Sequence, residues 1–107
     1  MTTIARGETF LWGDSDPTRT VQGALGSFNI LNGAPQIRFQ ARLILTFVNN
    51  FTVGSGQQVR NETIWTTGFF LIQPFPFADA GSGNRLRIYL IPNVDIQLSG
   101  VQAWLYQ

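Results

Sequence analysis

The stretch IRFQARLILTFV, Ile37 to Val48, decides how this chain folds. Neighbouring side chains of a strand point to opposite faces, so Ile37, Phe39, Ala41, Leu43, Leu45 and Phe47 make one unbroken apolar row. The other row begins with Arg38, Gln40 and Arg42, which belong in water. It ends with Ile44, Thr46 and Val48, which want cover. A helix would set Arg38 and Arg42 on the same flank as Ile37 and Ala41. The period is two, and the stretch reads as a long strand in the middle of a sheet.

Working outward, the chain keeps to short extended segments punctuated by turn residues. Upstream, Thr9-Phe10-Leu11-Trp12 is an edge strand or an arm laid on a neighbour, and Gly13-Asp14-Ser15-Asp16-Pro17 is a turn. Arg19 to Gln22 and Ser27 to Leu31 read as strands broken by Gly23 and Gly26, where glycine marks a bulge or a close backbone approach. Asn32-Gly33-Ala34-Pro35 then turns the chain into the central strand. Downstream, residues 49–56 are a loop by composition, and Gln58 to Ile72 supplies two strands or one bent at Gly68. Both faces are apolar beyond Gly68, which predicts cover on both sides. Gln73-Pro74-Phe75-Pro76-Phe77 is an aromatic, extended corner, and Ala78 to Asn84 a surface loop. Arg85 to Ile91 alternates, with Leu86, Ile88 and Leu90 inward and Arg85, Arg87 and Tyr89 outward.

The last segment changes phase. Val94, Ile96 and Leu98 are apolar on even numbers, then Val101, Ala103 and Leu105 on odd ones. One extra residue at Ser99-Gly100 restores the apolar side to the core, which predicts a β-bulge there and sends Trp104 and Tyr106 to the outer face. No stretch carries a sustained helical period. The expected fold is all-β: an antiparallel, jelly-roll-like sandwich of about seven or eight strands, one domain over residues 1–107 with a possible N-terminal arm over residues 1–18.

Composition bounds the function. Only 12% of residues are charged against roughly 25% in ordinary soluble domains, aromatics reach 13%, and mean hydropathy is +0.06. A small domain so poor in charge exposes apolar patches unless it associates, so an oligomer or an assembly component is expected. Net charge is +1, too mild to point to nucleic acid or an anionic membrane. No apolar run approaches the ~18 residues of a membrane span, and Met1-Thr2-Thr3 does not open a signal peptide.

His, Cys and Lys are absent, and all seven cations are Arg. That removes the imidazole base, the thiolate nucleophile, the Schiff-base amine and the usual zinc ligands. The carboxylates Glu8, Asp14, Asp16, Glu62, Asp79 and Asp95 show no spacing that pairs two of them across a cleft, as a glycosidase requires. Asp14-Ser15-Asp16 lacks the rest of a calcium loop and reads as a capped turn. Gly81 to Arg85 lacks the lysine of a phosphate-cradling loop. Asn50-Phe51-Thr52 and Asn61-Glu62-Thr63 fit the glycosylation pattern, which without a signal peptide reads as coincidence. No catalytic residue, metal or cofactor is expected.

The remaining candidates are contact residues. Phe10, Trp12, Val48, Phe75, Phe77, Trp104 and Tyr106 are expected at an oligomer or partner interface. Arg38 and Arg42 share one face of their strand and Arg85 and Arg87 one face of theirs. If the strands are neighbours, the four guanidiniums cluster as polar partner contacts, unless they are merely a solvated face. An exposed Trp12, Trp65 or Trp104 is the alternative use of an aromatic, as a platform for sugar rings.

The ending Val94 to Tyr106, VDIQLSGVQAWLY, resembles the last strand of complement-type and tumour-necrosis-factor-like trimeric jelly rolls, which finish with a small residue, Gly and an apolar-aromatic run. Similar small trimeric β modules occur among bacteriophage head-decoration and fibre proteins. The resemblance covers this C-terminal stretch alone, and the chain is shorter than most members, so a missing strand pair or another sandwich topology stays open. It implies a trimer, binding and no catalysis. The expectation is a structural virion protein, a phage capsid decoration (cement) protein at the capsid surface, made in the host cytoplasm. Its expected partners are its own copies in a homotrimer and the major capsid protein or another virion protein, with no membrane and no nucleic acid. A carbohydrate-binding module or an adhesive tail-fibre tip, with a glycan partner, is the alternative.

Overall fold

The apolar row that starts at Ile37 is buried from Ile37 to Leu45: Ile37, Phe39, Ala41, Leu43 and Leu45 are each at most 1% exposed. Their strand is central, as its two-residue period demands. A computed structural model describes residues 2–15, 21–47, 56–72 and 85–106, which contain eight strands. These are β1 (Thr3–Ile4), β2 (Phe10–Asp14), β3 (Val21–Ile30), β4 (Ile37–Phe47), β5 (Gly56–Thr66), β6 (Phe69–Ile72), β7 (Arg85–Pro92) and β8 (Ile96–Tyr106). They form two antiparallel four-stranded sheets, sheet A in the order β1-β8-β3-β6 and sheet B in the order β2-β7-β4-β5. No helix of the described residues is long and apolar enough to cross a membrane.

The pairing has a simple rule. β1 pairs with β8, β2 with β7, β3 with β6 and β4 with β5, as if the chain were doubled into one long hairpin. The added pairs β3·β8 and β4·β7 close that ribbon into two sheets. This is a jelly-roll arrangement, in which the ribbon wraps back on itself as two packed sheets.

Residues 2–15 belong to both sheets rather than forming a detached arm. Ile4 is fully buried, β1 lies on the edge beside β8, and β2 lies on the edge beside β7. Arg19-to-Leu31 is not two strands: β3 is continuous over residues 21–30, with a register shift between Val21 and Gly23. Gly26 is the close approach. A Cβ there would meet Trp12 Cζ2 at 2.6 Å and the Phe70 ring closer still. Its missing side chain lets Trp12 of sheet B reach sheet A and stack edge-on against Phe70, with ring centroids 5.0 Å apart. Phe70 in turn meets Phe39 at 5.1 Å, and Phe39 meets Phe28 at 5.8 Å, both edge to face.

Gly68 is the corner between the sheets. Its φ of +158° suits glycine, a Cβ would lie 3.1 Å from the Phe28 carbonyl oxygen, and the Phe28 N–H donates to the Gly68 oxygen at 3.0 Å. The segment from Gln58 to Ile72 is therefore two strands in different sheets. Cover on both sides of its second half is not found: Phe70 and Ile72 are buried, whereas Phe69 and Leu71 are 59% and 43% exposed. β6 is an edge strand with nothing among the described residues over its outer face.

The bulge of β8 lies where the phase change put it, but it is larger than one residue. Gly26 pairs with Gln102 and Phe28 with Leu98, so two residues of β3 span four of β8. Two surplus residues leave parity unchanged. The even positions stay inward, and Trp104 packs toward Trp12 at 6.3 Å between centroids. The outward orientation expected of Trp104 and Tyr106 is thus overturned; both are half-buried against the core. Ala103 and Leu105 take the exposed face instead. Ser27 and Ser99 hydrogen-bond through their hydroxyls across the bulge.

Because the Gly26 contact is already full, Gly26→Ala forces the Trp12 and Phe70 rings apart. Urea unfolding should show a loss of about 1–3 kcal/mol, the usual cost of overpacking. An unchanged midpoint would mean that the two rings have room to yield.

Candidate functional site

Every charged residue in a described strand lies in sheet B: Asp14, Arg38, Arg42, Arg60, Glu62, Arg85 and Arg87. Sheet A has none, since TI, VQGALGSFNI, FFLI and IQLSGVQAWLY are uncharged throughout. The two outer faces of the sandwich differ accordingly, and each is a candidate surface.

On sheet A, register brings Leu25 between Leu71 and Ala103, with Phe69 next along β6 and Leu105 next along β8. Phe69, Leu71 and Leu105 are all exposed. These five residues make an apolar patch beside the four-residue edge strand β6, a position where large monomer patches signal association.

On sheet B, β4 and β7 are neighbours, so the condition for the arginine cluster is met. Arg42 pairs with Tyr89 and Asn61, and Ile44 with Arg87 and Val59. Thr46 pairs with Arg85 and Gln57, and Arg38 with Trp65. The four guanidiniums run along the face as a stripe rather than meeting at one point. Arg38 lies over the Trp65 ring, 5.7 Å from its centroid, and Trp65 is 64% exposed. Arg42 Nε donates to Asn61 Oδ1 at 3.4 Å. Arg85 grips Asp14 with two bonds, Nε to Oδ1 and Nη2 to Oδ2, both 2.6 Å, and Arg87 Nε lies 3.9 Å from Oδ2. Among the described residues Asp14 is the one carboxylate on this outer face against four Arg, so the face is cationic.

The hydrogen bonds from Arg85 hold the Asp14 carboxyl below its ordinary pKa, against burial, which raises it; the charges of Arg85 and Arg87 add to the lowering.

A shallow cleft of about 220 Å³ opens at the Arg38 end of the same face. Arg6, Arg38, Gln40 and Asn93 form its rim, and Ile91 and Pro92 are its apolar lining. Its walls are fixed by hydrogen bonds from backbone donors: Gly7 N–H to the Pro92 carbonyl oxygen at 2.8 Å and Arg6 N–H to the Asp95 carboxylate Oδ1 at 2.8 Å. The Arg38 N–H donates to Asn93 Oδ1 at 3.1 Å.

Of the expected interface residues, Trp12 is buried within the sandwich, and Phe10, Trp104 and Tyr106 are half-buried against the core. The sandwich itself consumes them. Val48, Phe75 and Phe77 lie outside the described residues. Arg38, Arg42, Arg85 and Arg87 share the outer face of sheet B, as a stripe rather than a cluster. The sheet A patch was missed, although Phe69 and Leu71 alternate with the buried Phe70 and Ile72; the uncharged stretches around them were the available signal.

No family model, curated protein or solved structure matches this chain. The likeness to trimeric jelly rolls therefore stands at the level of architecture, which many unrelated functions share.

A folded pKa below the unfolded one gives Asp14 a stabilising role that is present above the unfolded carboxylate pKa and lost as pH falls through the folded one. Asp14→Asn should lower the melting temperature slightly at neutral pH, because exposed ion pairs are weak, and should be indistinguishable from the parent in acid below both pKa values. Thermal melts across that range check it. A deficit that persists in acid would assign the effect to something other than the Arg85 pair.

Proposed function

We propose that this chain is a structural, non-enzymatic virion protein of the capsid decoration type, a homotrimer on the capsid surface. The observation that carries this reading is the outer face of sheet A, uncharged throughout and apolar at Leu25, Phe69, Leu71, Ala103 and Leu105. A patch without charge meets another copy of itself with no like-charge repulsion and no ion to desolvate. Each Å² of apolar area removed from water returns roughly 25 cal/mol. The jelly-roll order supports the class, since viral capsid domains use it, as do lectins. Sheet B then points away from the trimer contact and offers Arg42 and Arg87 to carboxylates of the shell, with the specificity that guanidinium pairing gives. Repetition across a shell multiplies such modest contacts by avidity.

A second reading has its own support: Trp65, largely exposed beside Arg38 and in line with Thr63 and Asn61, favours a glycan-binding or fibre-tip surface on sheet B. Lectins share this fold, so the reading is compatible with the sandwich.

Sedimentation velocity at micromolar concentration tests the first reading. The parent should run as a trimer, and Leu71→Arg should give a folded monomer, because residue 71 points outward and carries no core contact of the kind Phe70 does. A parent that stays monomeric removes the assembly reading.

A further inference from the structure

Two guanidiniums frame the cleft at the end of sheet B, and neither has a carboxylate within ion-pair distance among the described residues, where the ion pairs belong to Arg60, Arg85 and Arg87. The nearby carboxylates hold backbone groups: Asp95 Oδ1 accepts the Arg6 backbone N–H at 2.8 Å, and Glu8 Oε2 accepts the Ala5 N–H at 3.0 Å. Asn93 uses its carbonyl oxygen on the Arg38 N–H, which leaves its amide NH2 as the free end. Gln40 adds another amide, and Ile91 and Pro92 give an apolar lining. The rim is thus rich in donors and cationic. A ligand for it brings acceptors and a negative charge on a body with an apolar side.

Size and surroundings narrow the class. About 220 Å³ is below the roughly 300–1,000 Å³ of pockets that enclose drug-sized ligands, so the cleft takes a single small ring. Trp65 keeps 64% of its surface exposed even with the Arg38 guanidinium 5.7 Å from its ring centroid, and Thr63 and Asn61 follow along β5 as hydroxyl and amide partners. We infer that the cleft of Arg6, Arg38, Gln40 and Asn93 binds the carboxylate of an acidic sugar, a uronic acid unit, with Trp65 beside it as the platform for the neighbouring unit. The inference rests on the glycan reading of sheet B and is independent of assembly through sheet A. Guanidinium–carboxylate pairing supplies charge-assisted, two-pronged hydrogen bonds, and the aromatic supplies contact with the C–H side of a sugar ring.

Calorimetric titration of the full chain with sodium glucuronate, glucose and sodium acetate separates the sources of binding. Glucuronate should bind saturably, with glucose and acetate each at least about tenfold weaker, or about 1.4 kcal/mol. Arg6→Gln and Arg38→Gln should each lower glucuronate affinity by about that factor while the melting temperature holds, because both residues are exposed. Acetate as tight as glucuronate overturns the inference in favour of any carboxylate, an acidic protein side chain included. Glucose as tight as glucuronate overturns the acidic-sugar assignment and leaves the glycan reading standing. No saturable binding by either sugar, or full affinity in both Arg variants, removes the cleft as their site.

Discussion

The sandwich depends on one contact that a single methyl group would spoil. Gly26 presents bare backbone to the Trp12 indole and the Phe70 ring, and around that point Phe28, Phe39 and Trp104 lock the two sheets together. Two sheets packed face to face hold about 10 Å of side chains between them, and an indole fits that gap only where the opposite strand gives up its own. Much of the aromatic content of the chain is used here. The charge poverty that hints at association is therefore only partly a surface property, since Trp12 and its neighbours spend their apolar area inside.

What is left outside is sorted by sheet. The doubled-hairpin pairing sends β1, β3, β6 and β8 to sheet A and β2, β4, β5 and β7 to sheet B, and every charged residue in a described strand falls in the second set. The molecule has one uncharged outer face and one cationic outer face. Neither property follows from the fold, because the same strand order accommodates many surfaces. Both follow from which side chains occupy the outward positions of each strand.

Period-two alternation made much of this legible. It identified β4 as central, oriented β7 correctly, and put the β8 bulge near Ser99-Gly100, because each feature is written in the parity of apolar residues. The same reasoning failed where parity alone is silent. A bulge of one residue and a bulge of two look alike until the partner strand is known, and that difference turned Trp104 and Tyr106 inward. Phe69 and Leu71 have the composition of a doubly covered strand, yet edge position is a property of the whole sheet order. The Arg6–Arg38 cleft was likewise out of reach, because it joins the β1–β2 turn to the ends of β4 and β7.

Among the described residues the long edge of sheet B is β5, eleven residues paired on one side by β4. Its inward row opposite Leu43 and Ala41 carries Arg60 and Glu62, joined as an ion pair and half-buried. A foreign strand adding to this edge would lay its own inward side chains against that pair and desolvate charges that now still reach water. The other edges are short, at two, four and five residues. At the edges of the described strands, lateral growth of the sheets into a ribbon is disfavoured.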